Sequence, residues 1–338
     1  MKKVFTLALM LMAYSAFSNS FDSSRYFFEK GMQEKSSKRY LEASGHFNKA
    51  IKLNPTYTEA YLENGLVNKE MRRTDEAKQN FTRAYELDGN NNIAIMELME
   101  LYFSYRQYQQ AIDFAQKCKS CPDKDRIIAL SYYQLEDYAK AEKLLLNLLA
   151  KNPIDAELNY TMARNYLEMG LELRSISFYE KAVLLDKTKA NWNYELGLLY
   201  LNNKKFKEAV VSINNAIEQG YTRNNDVNEN LGFAYLYSGD AENGERLLNE
   251  IIARKPGNKE LIMDVANALY DARFYDLSLT YCQKILEQDI KDGRALYQAG
   301  LCFQKKGQVE RGMQMCDKAI ELDPSLAGLK SKKLSPGM

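Results

Sequence analysis

Two cysteines three residues apart, Cys118 and Cys121, and a single histidine, His46, are the side chains whose chemistry stands out in this 338-residue chain. A Cys-x-x-Cys pair can close a small disulfide, act as a redox couple or supply half of a zinc site. Zinc needs a second ligand pair at suitable spacing, and none follows. Redox pairs sit at the start of a helix beside a sheet, whereas Cys118 and Cys121 end a helical pattern just before Pro122. A small Cys118–Cys121 disulfide at a helix end stays open, and the sequence does not fix the redox state of the cysteines. Cys282, Cys302 and Cys316 fall on apolar-facing positions where cysteine serves as a small hydrophobe, and a Cys282–Cys302 bridge stays open. His46 has no Ser or Cys nucleophile paired with it by motif. The chain lacks GxxxxGK[ST], and no GxGxxG follows a strand pattern. Its carboxylates follow the solvated faces of helices. The sequence therefore predicts no enzyme, no metal and no cofactor.

Composition narrows the scaffold that would hold such residues. A chain of this length exceeds one ordinary core, so several domains or a repeat array are expected. Six prolines and seventeen glycines leave little room for a turn-rich β fold. The net charge of +1 offers no long-range attraction to phosphate backbones, which argues against nucleic acid as the main partner. Residues 1–18 read as a secretory signal peptide: Lys2 and Lys3, the apolar run Val4 to Ala13, and the small-x-small site Ala16-Phe17-Ser18. That run is shorter than the about 20 apolar residues a membrane-spanning helix needs. No cysteine follows it to carry a lipid. Without Lys2 and Lys3 the basic residues fall one short of the 45 acidic ones. The expected mature chain is exported, periplasmic or secreted, and has no membrane span.

Self-similarity dominates what remains. Numbering position 1 at Ser24, further copies start at Thr58, Asn92, Pro122, Ala156, Ala190, Asn225, Lys259 and Gly293. Position 8 is small at Gly31, Gly65, Ala129, Ala163, Gly197, Gly232, Ala266 and Gly300, and Met99 alone departs. Position 20 is always small, from Ala43 and Ala77 to Ser278 and Gly312, and Tyr recurs at position 11. Small residues let two helices approach closely, and large ones at positions 4, 7, 11 and 24 fill the space around the contact. Proline after the second helix, as at Pro55, Pro153, Pro256 and Pro324, ends it. No unit buries its own apolar face, so each must lean on its neighbours.

This pattern resembles the tetratricopeptide repeat family, whose unit is a pair of antiparallel helices with a period of 34 residues. The resemblance covers residues 24–326 and implies an all-α, right-handed solenoid of about nine repeats. Residues 19–23 are then a short linker and residues 327–338 a short basic tail. The third repeat is four residues short. That shortening is either a tight turn without consequence or a break that divides the array into blocks of three and six. At the other end, Leu326 and Leu329 with three lysines make only a stub. The last helix, with Met313 and Met315, is either left partly uncovered or capped by the tail folding back.

The family resemblance implies that positions 2, 5, 9, 12 and 13 of each first helix line a ligand-holding groove. Here they include Tyr133, Tyr160, Arg164, Tyr194, Phe233, Tyr237, Asn267, Tyr270 and Tyr297. Tyrosine offers large contact area, few rotors and a hydrogen-bonding tip, which suits recognition. A ring at these positions either faces a partner or packs on the next repeat. The family's chaperone-tail clamp needs Lys and Asn at positions 5 and 9, but Phe28, Met32, Leu62 and Leu66 stand there. The expected function is a non-enzymatic scaffold or adaptor of the cell envelope that engages a protein or peptide through this groove. The alternative is a polysaccharide-associated module of an export or envelope machine, since tyrosine rings also stack on sugars.

Overall fold

The computed structural model describes residues 22–328, and every regular element among them is helical. The signal peptide, most of the linker, Leu329 and the tail lysines lie outside the described residues. Two compact units divide between Pro153 and Ile154. The first contains α1 (22–36), α2 (Tyr40–Leu53), α3 (Thr58–Glu70), α4 (Thr74–Leu87), α5 (Asn92–Ser104), α6 (Tyr108–Lys117), α7 (Lys124–Gln134) and α8 (Tyr138–Lys151). The second contains α9 (Ala156–Glu168), α10 (Glu172–Leu185), α11 (Ala190–Asn202), α12 (Phe206–Glu218) and α13 (Asn225–Ser238). It continues with α14 (Ala241–Arg254), α15 (Lys259–Asp271), α16 (Tyr275–Gln288), α17 (Gly293–Lys305), α18 (Val309–Leu322) and a 3₁₀ turn over Pro324–Leu326.

Odd-numbered helices are the first of each repeat and pack on the even-numbered helix that follows. Side chains of Asn91, Asp155, Asn224, Asn258 and Asp292 accept a backbone N–H in the first turn of α5, α9, α13, α15 and α17. These bonds satisfy donors that a helix start leaves without partners. Position 8 then meets position 24 of the same repeat. A Cβ added at Gly65 would lie 2.5 Å from the Phe81 ring, so the pair fits only because one member is glycine. Met99, the departure at position 8, faces Ala115 at position 24; both are fully buried in one cluster, so the volume is conserved with the sizes exchanged.

The turn between the two helices has a left-handed residue at position 15 in all nine repeats. Glycine fills it at Gly170, Gly239 and Gly307, while Lys38, Arg72, Arg106, Glu136, Lys204 and Arg273 occupy it with φ between 58° and 68°. Side-chain-bearing residues adopt that conformation at a cost of roughly 1–2 kcal/mol.

The short third repeat does not divide the array into three and six. Cys118 and Cys121 form a disulfide with 5.8 Å between their Cα atoms. Both are buried with Ile95, Met99, Ala111, Ala115 and Ile127, so the third and fourth repeats share one core. The units separate one repeat later. Cys282, Cys302 and Cys316 are buried thiols, and Cys302 Sγ donates to Ser278 Oγ at 3.2 Å, so the bridge to Cys282 is not made. At the far end, Leu326 folds back to join Tyr297, Leu301, Cys316 and Ala319. One leucine thus closes the last repeat on one side, while Met313 on α18 stays 50% exposed.

Candidate partner-binding face

Of the side chains expected to line a groove, Tyr133 belongs to the first unit and the others to the second. Tyr133 is half-buried, its ring 6.1 Å from that of Tyr138. In the second unit the residues form three groups along the first helices.

Tyr160 and Arg164 on α9 meet α11 at Trp192 and Glu195. The Tyr160 ring stacks on Trp192 at 4.5 Å, nearly parallel. Its hydroxyl lies 3.1 and 3.2 Å from the two Glu195 oxygens and donates to that carboxylate. The Tyr179 hydroxyl, brought by α10, donates to the same carboxylate at 2.7 Å. Arg164 Nη1 is 3.7 Å from it and donates to the Tyr160 hydroxyl oxygen at 3.4 Å. Burial, with the Glu195 charge adding to it and Arg164 opposing, pushes the Tyr160 phenol up to about 12. Burial and the same carboxylate also raise Tyr179. The group is a preformed knot of two phenols, a guanidinium and a carboxylate, with one indole face behind it.

The second group changes the reading of Tyr194. Its ring is buried, stacks on Tyr221 at 4.5 Å, and its hydroxyl accepts a bond from Asn230 Nδ2 at 2.9 Å. A phenol at position 5 is long enough to reach the next repeat, and here it is consumed there. Tyr297 is likewise not offered to a partner: it is buried in the closing cluster under Leu326. Both residues hold repeats together.

The third group lies on α13 and α15. Tyr237 stacks on Phe206 at 4.8 Å and beside Phe233 at 6.4 Å; Tyr270 meets Tyr275 edge-on at 5.5 Å; Asn267 is half-buried between them in sequence. Around these rings the charge is negative. Helices α11, α13 and α15 carry Glu195, Asp226, Glu229, Glu260, Asp264 and Asp271, with Lys259 their one basic residue. Lys259 pairs with Asp289, and Arg294 pairs with Glu260 at 2.6 Å. Burial first, then the charges of Asp226 and Asp264, holds the Glu229 carboxyl above its usual range. Burial and Glu260 do the same to Asp264, against the pull of Arg294. Burial pushes Tyr270 up to about 12.

Position 6, not singled out in the sequence, organises these contacts. In the second unit Glu195 accepts a bond from the preceding repeat and Asn230 donates one to it. In the first unit Lys35 reaches Glu63 and Lys69 reaches Glu97, each at 2.5 Å. A polar residue recurs there as Glu29, Glu63, Glu97, Thr161, Glu195, Asn230, Asp264 and Gln298, with Ile127 the exception. That recurrence was the available signal.

A family model described as tetratricopeptide repeat matches residues 58–91, 156–189, 192–219 and 293–326. The chain is a tetratricopeptide-repeat protein. Subunit 3 of the anaphase-promoting complex of Schizosaccharomyces pombe is 22% identical over 161 residues, covering 46% of this chain and 24% of that protein. The chain thus matches about a quarter of the length of this curated relative. Among solved structures, YrrB, described as a TPR protein with an unusual peptide-binding site, is 25% identical, covers 56% of this chain and 98% of its own, and has a TM-score of 0.38. The C-terminal part of a TPR protein from Cytophaga hutchinsonii is 21% identical, covers 67% and 94%, and has a TM-score of 0.43. Repeats of this family make the chain a protein-interaction scaffold. No described helix is long and apolar enough to cross a membrane.

Proposed function

We propose that this scaffold is an exported adaptor of the cell envelope that holds an extended, basic segment of a partner protein along α11, α13 and α15. The observation that carries the reading is the pairing of half-buried rings at Phe233, Tyr237 and Tyr270 with carboxylates that burial and one another keep reluctant to ionise. A lysine or arginine placed there relieves the repulsion among Glu229, Asp264 and Asp226 and finds aromatic faces for its stem. The rings are already held by stacking, so little ordering cost falls on binding. Export rests on residues 1–18; mass spectrometry of the protein isolated from cells should find the chain beginning after Ser18.

Binding to arrays of basic, neutral and acidic extended peptides tests the rest. Basic peptides should be retained, less so at high salt. Replacing both Glu229→Gln and Asp264→Asn should weaken them about tenfold, the loss of one to two charge-assisted contacts. Equal retention of acidic and basic peptides, or indifference to the double substitution, would remove the proposal.

A further inference from the structure

The first unit contains a polar cavity that the partner-binding face does not use. It lies between α2 and α4 with α3 as its floor and encloses about 320 Å³. Ser44, Asn64 and Asn68 form the buried base, while Asn48, Asn80 and Tyr61 stand around it. Positions 7 and 11 are occupied here by Asn64 and Asn68, where repeat 6 has Leu196 and Tyr200. Burying a carboxamide in place of an apolar side chain costs stability unless every polar atom finds a partner.

Asn64 is fully satisfied. Its Nδ2 donates to Asn48 Oδ1 at 2.9 Å and Asn80 Oδ1 at 3.2 Å. Its Oδ1 accepts from Ser44 Oγ at 2.8 Å and Asn68 Nδ2 at 3.2 Å. This one residue orients four others. Asn48 Nδ2 and Asn68 Oδ1 make no bond among the described residues, although Asn68 is only 3% exposed. The cavity lining therefore keeps one uncommitted donor and one uncommitted acceptor. At its rim stand Arg73 and Glu76, of opposite sign.

We infer that this cavity binds a neutral, hydroxyl-rich ligand of about one hexopyranose ring. A hydroxyl both donates and accepts, which matches a lining that holds Asn48 Nδ2 and Asn68 Oδ1 uncommitted. The rim carries one charge of each sign, Arg73 and Glu76, so it favours neither an anion nor a cation. Tyr61 adds an aromatic side chain to the lining, and the volume sits at the small end of ligand pockets, roughly 300–1,000 Å³. The inference is independent of the basic-segment proposal, which concerns other residues in the other unit.

Saturation-transfer NMR on the full mature chain tests it, with glucose, N-acetylglucosamine and cellotetraose as probes. Transfer from the protein to ring protons of at least one sugar is expected. Asn48→Ala and Asn68→Ala should each weaken that sugar about tenfold, the worth of one hydrogen bond to the ligand. Val211→Ala in the second unit should leave it unchanged. Asn48 is exposed, so its variant remains decisive if Asn68→Ala fails to fold. Displacement of glucose by cellotetraose would mark the ring as part of a chain, and its failure to displace would mark a free monosaccharide. No transfer from any probe, or transfer unchanged in Asn48→Ala, overturns the inference.

Discussion

In repeat 2 the cleft between successive second helices is floored by Asn64 and Asn68; in repeat 6 the same two positions are Leu196 and Tyr200. The second cleft, between α10 and α12, encloses about 650 Å³ and exposes Leu184 and Val211 at its rim. Backbone and register are shared, so the difference lies in side chains alone. Position 21 shows how each floor is supported: Ser44 bonds Asn64, whereas the corresponding Ile176 packs with Leu196. A repeat can thus exchange an apolar floor for a polar one only by changing several neighbours together, which is how a uniform array acquires unlike surfaces.

Crossing the two floors should have the largest effect. Leu196→Asn places a carboxamide beside Ile176, without the position-21 serine that meets Asn64, and should cost about 3 kcal/mol or more in urea unfolding. The reverse change, Asn64→Leu, strands Ser44, takes a donor from Asn48 and Asn80, and should cost about 2 kcal/mol despite its added apolar surface. A gain in stability there would show that the polar floor is dispensable and would break the comparison. Smaller still is Tyr179→Phe, which removes one of the phenols bonded to Glu195 and should cost about 1.5 kcal/mol. The matching change in the first unit, Lys69→Met, leaves the buried Glu97 without its 2.5 Å partner and sharpens the contrast between lysine and tyrosine as inter-repeat links.

The smallest effect depends on pH. The Glu229 carboxyl is raised above its ordinary 4.5, so the folded chain holds that proton more tightly than the unfolded chain. The penalty is absent below 4.5, grows as pH rises through the folded value, and is complete at neutrality. Glu229→Gln should therefore stabilise at pH 7 by about 0.5 kcal/mol or less, since the site is partly solvated. The gain should vanish at pH 4, which thermal unfolding at the two pH values would check.

Repeat phase was legible because packing geometry permits so few residue types. Gly65 faces Phe81 too closely for any side chain, and the one exception, Met99, is matched by Ala115. The fate of the position-5 rings was not legible from position 5. Tyr160 remains half-buried while Tyr194 is consumed, and what separates them is elsewhere: Trp192 and Glu195 beside one, Tyr221 and Asn230 beside the other. Those partners stand 27 to 36 residues away along the chain, beyond any helical period. The polar cavity escaped notice for a related reason. Asn64 and Asn68 are unremarkable alone, and their meaning comes from Ser44, Asn48 and Asn80 on two other helices.

The left-handed turns at position 15 leave the molecule with unspent reserve. Glycine in place of Lys38, Arg72, Arg106, Glu136, Lys204 or Arg273 would relax a backbone that the other three repeats already relieve, for about 0.5 kcal/mol each after the greater freedom of unfolded glycine is subtracted. None of the six positions belongs to the aromatic face or to the asparagine cavity. Ruggedness can therefore be added one connection at a time without touching recognition, so this scaffold can be hardened while its binding surfaces are varied freely.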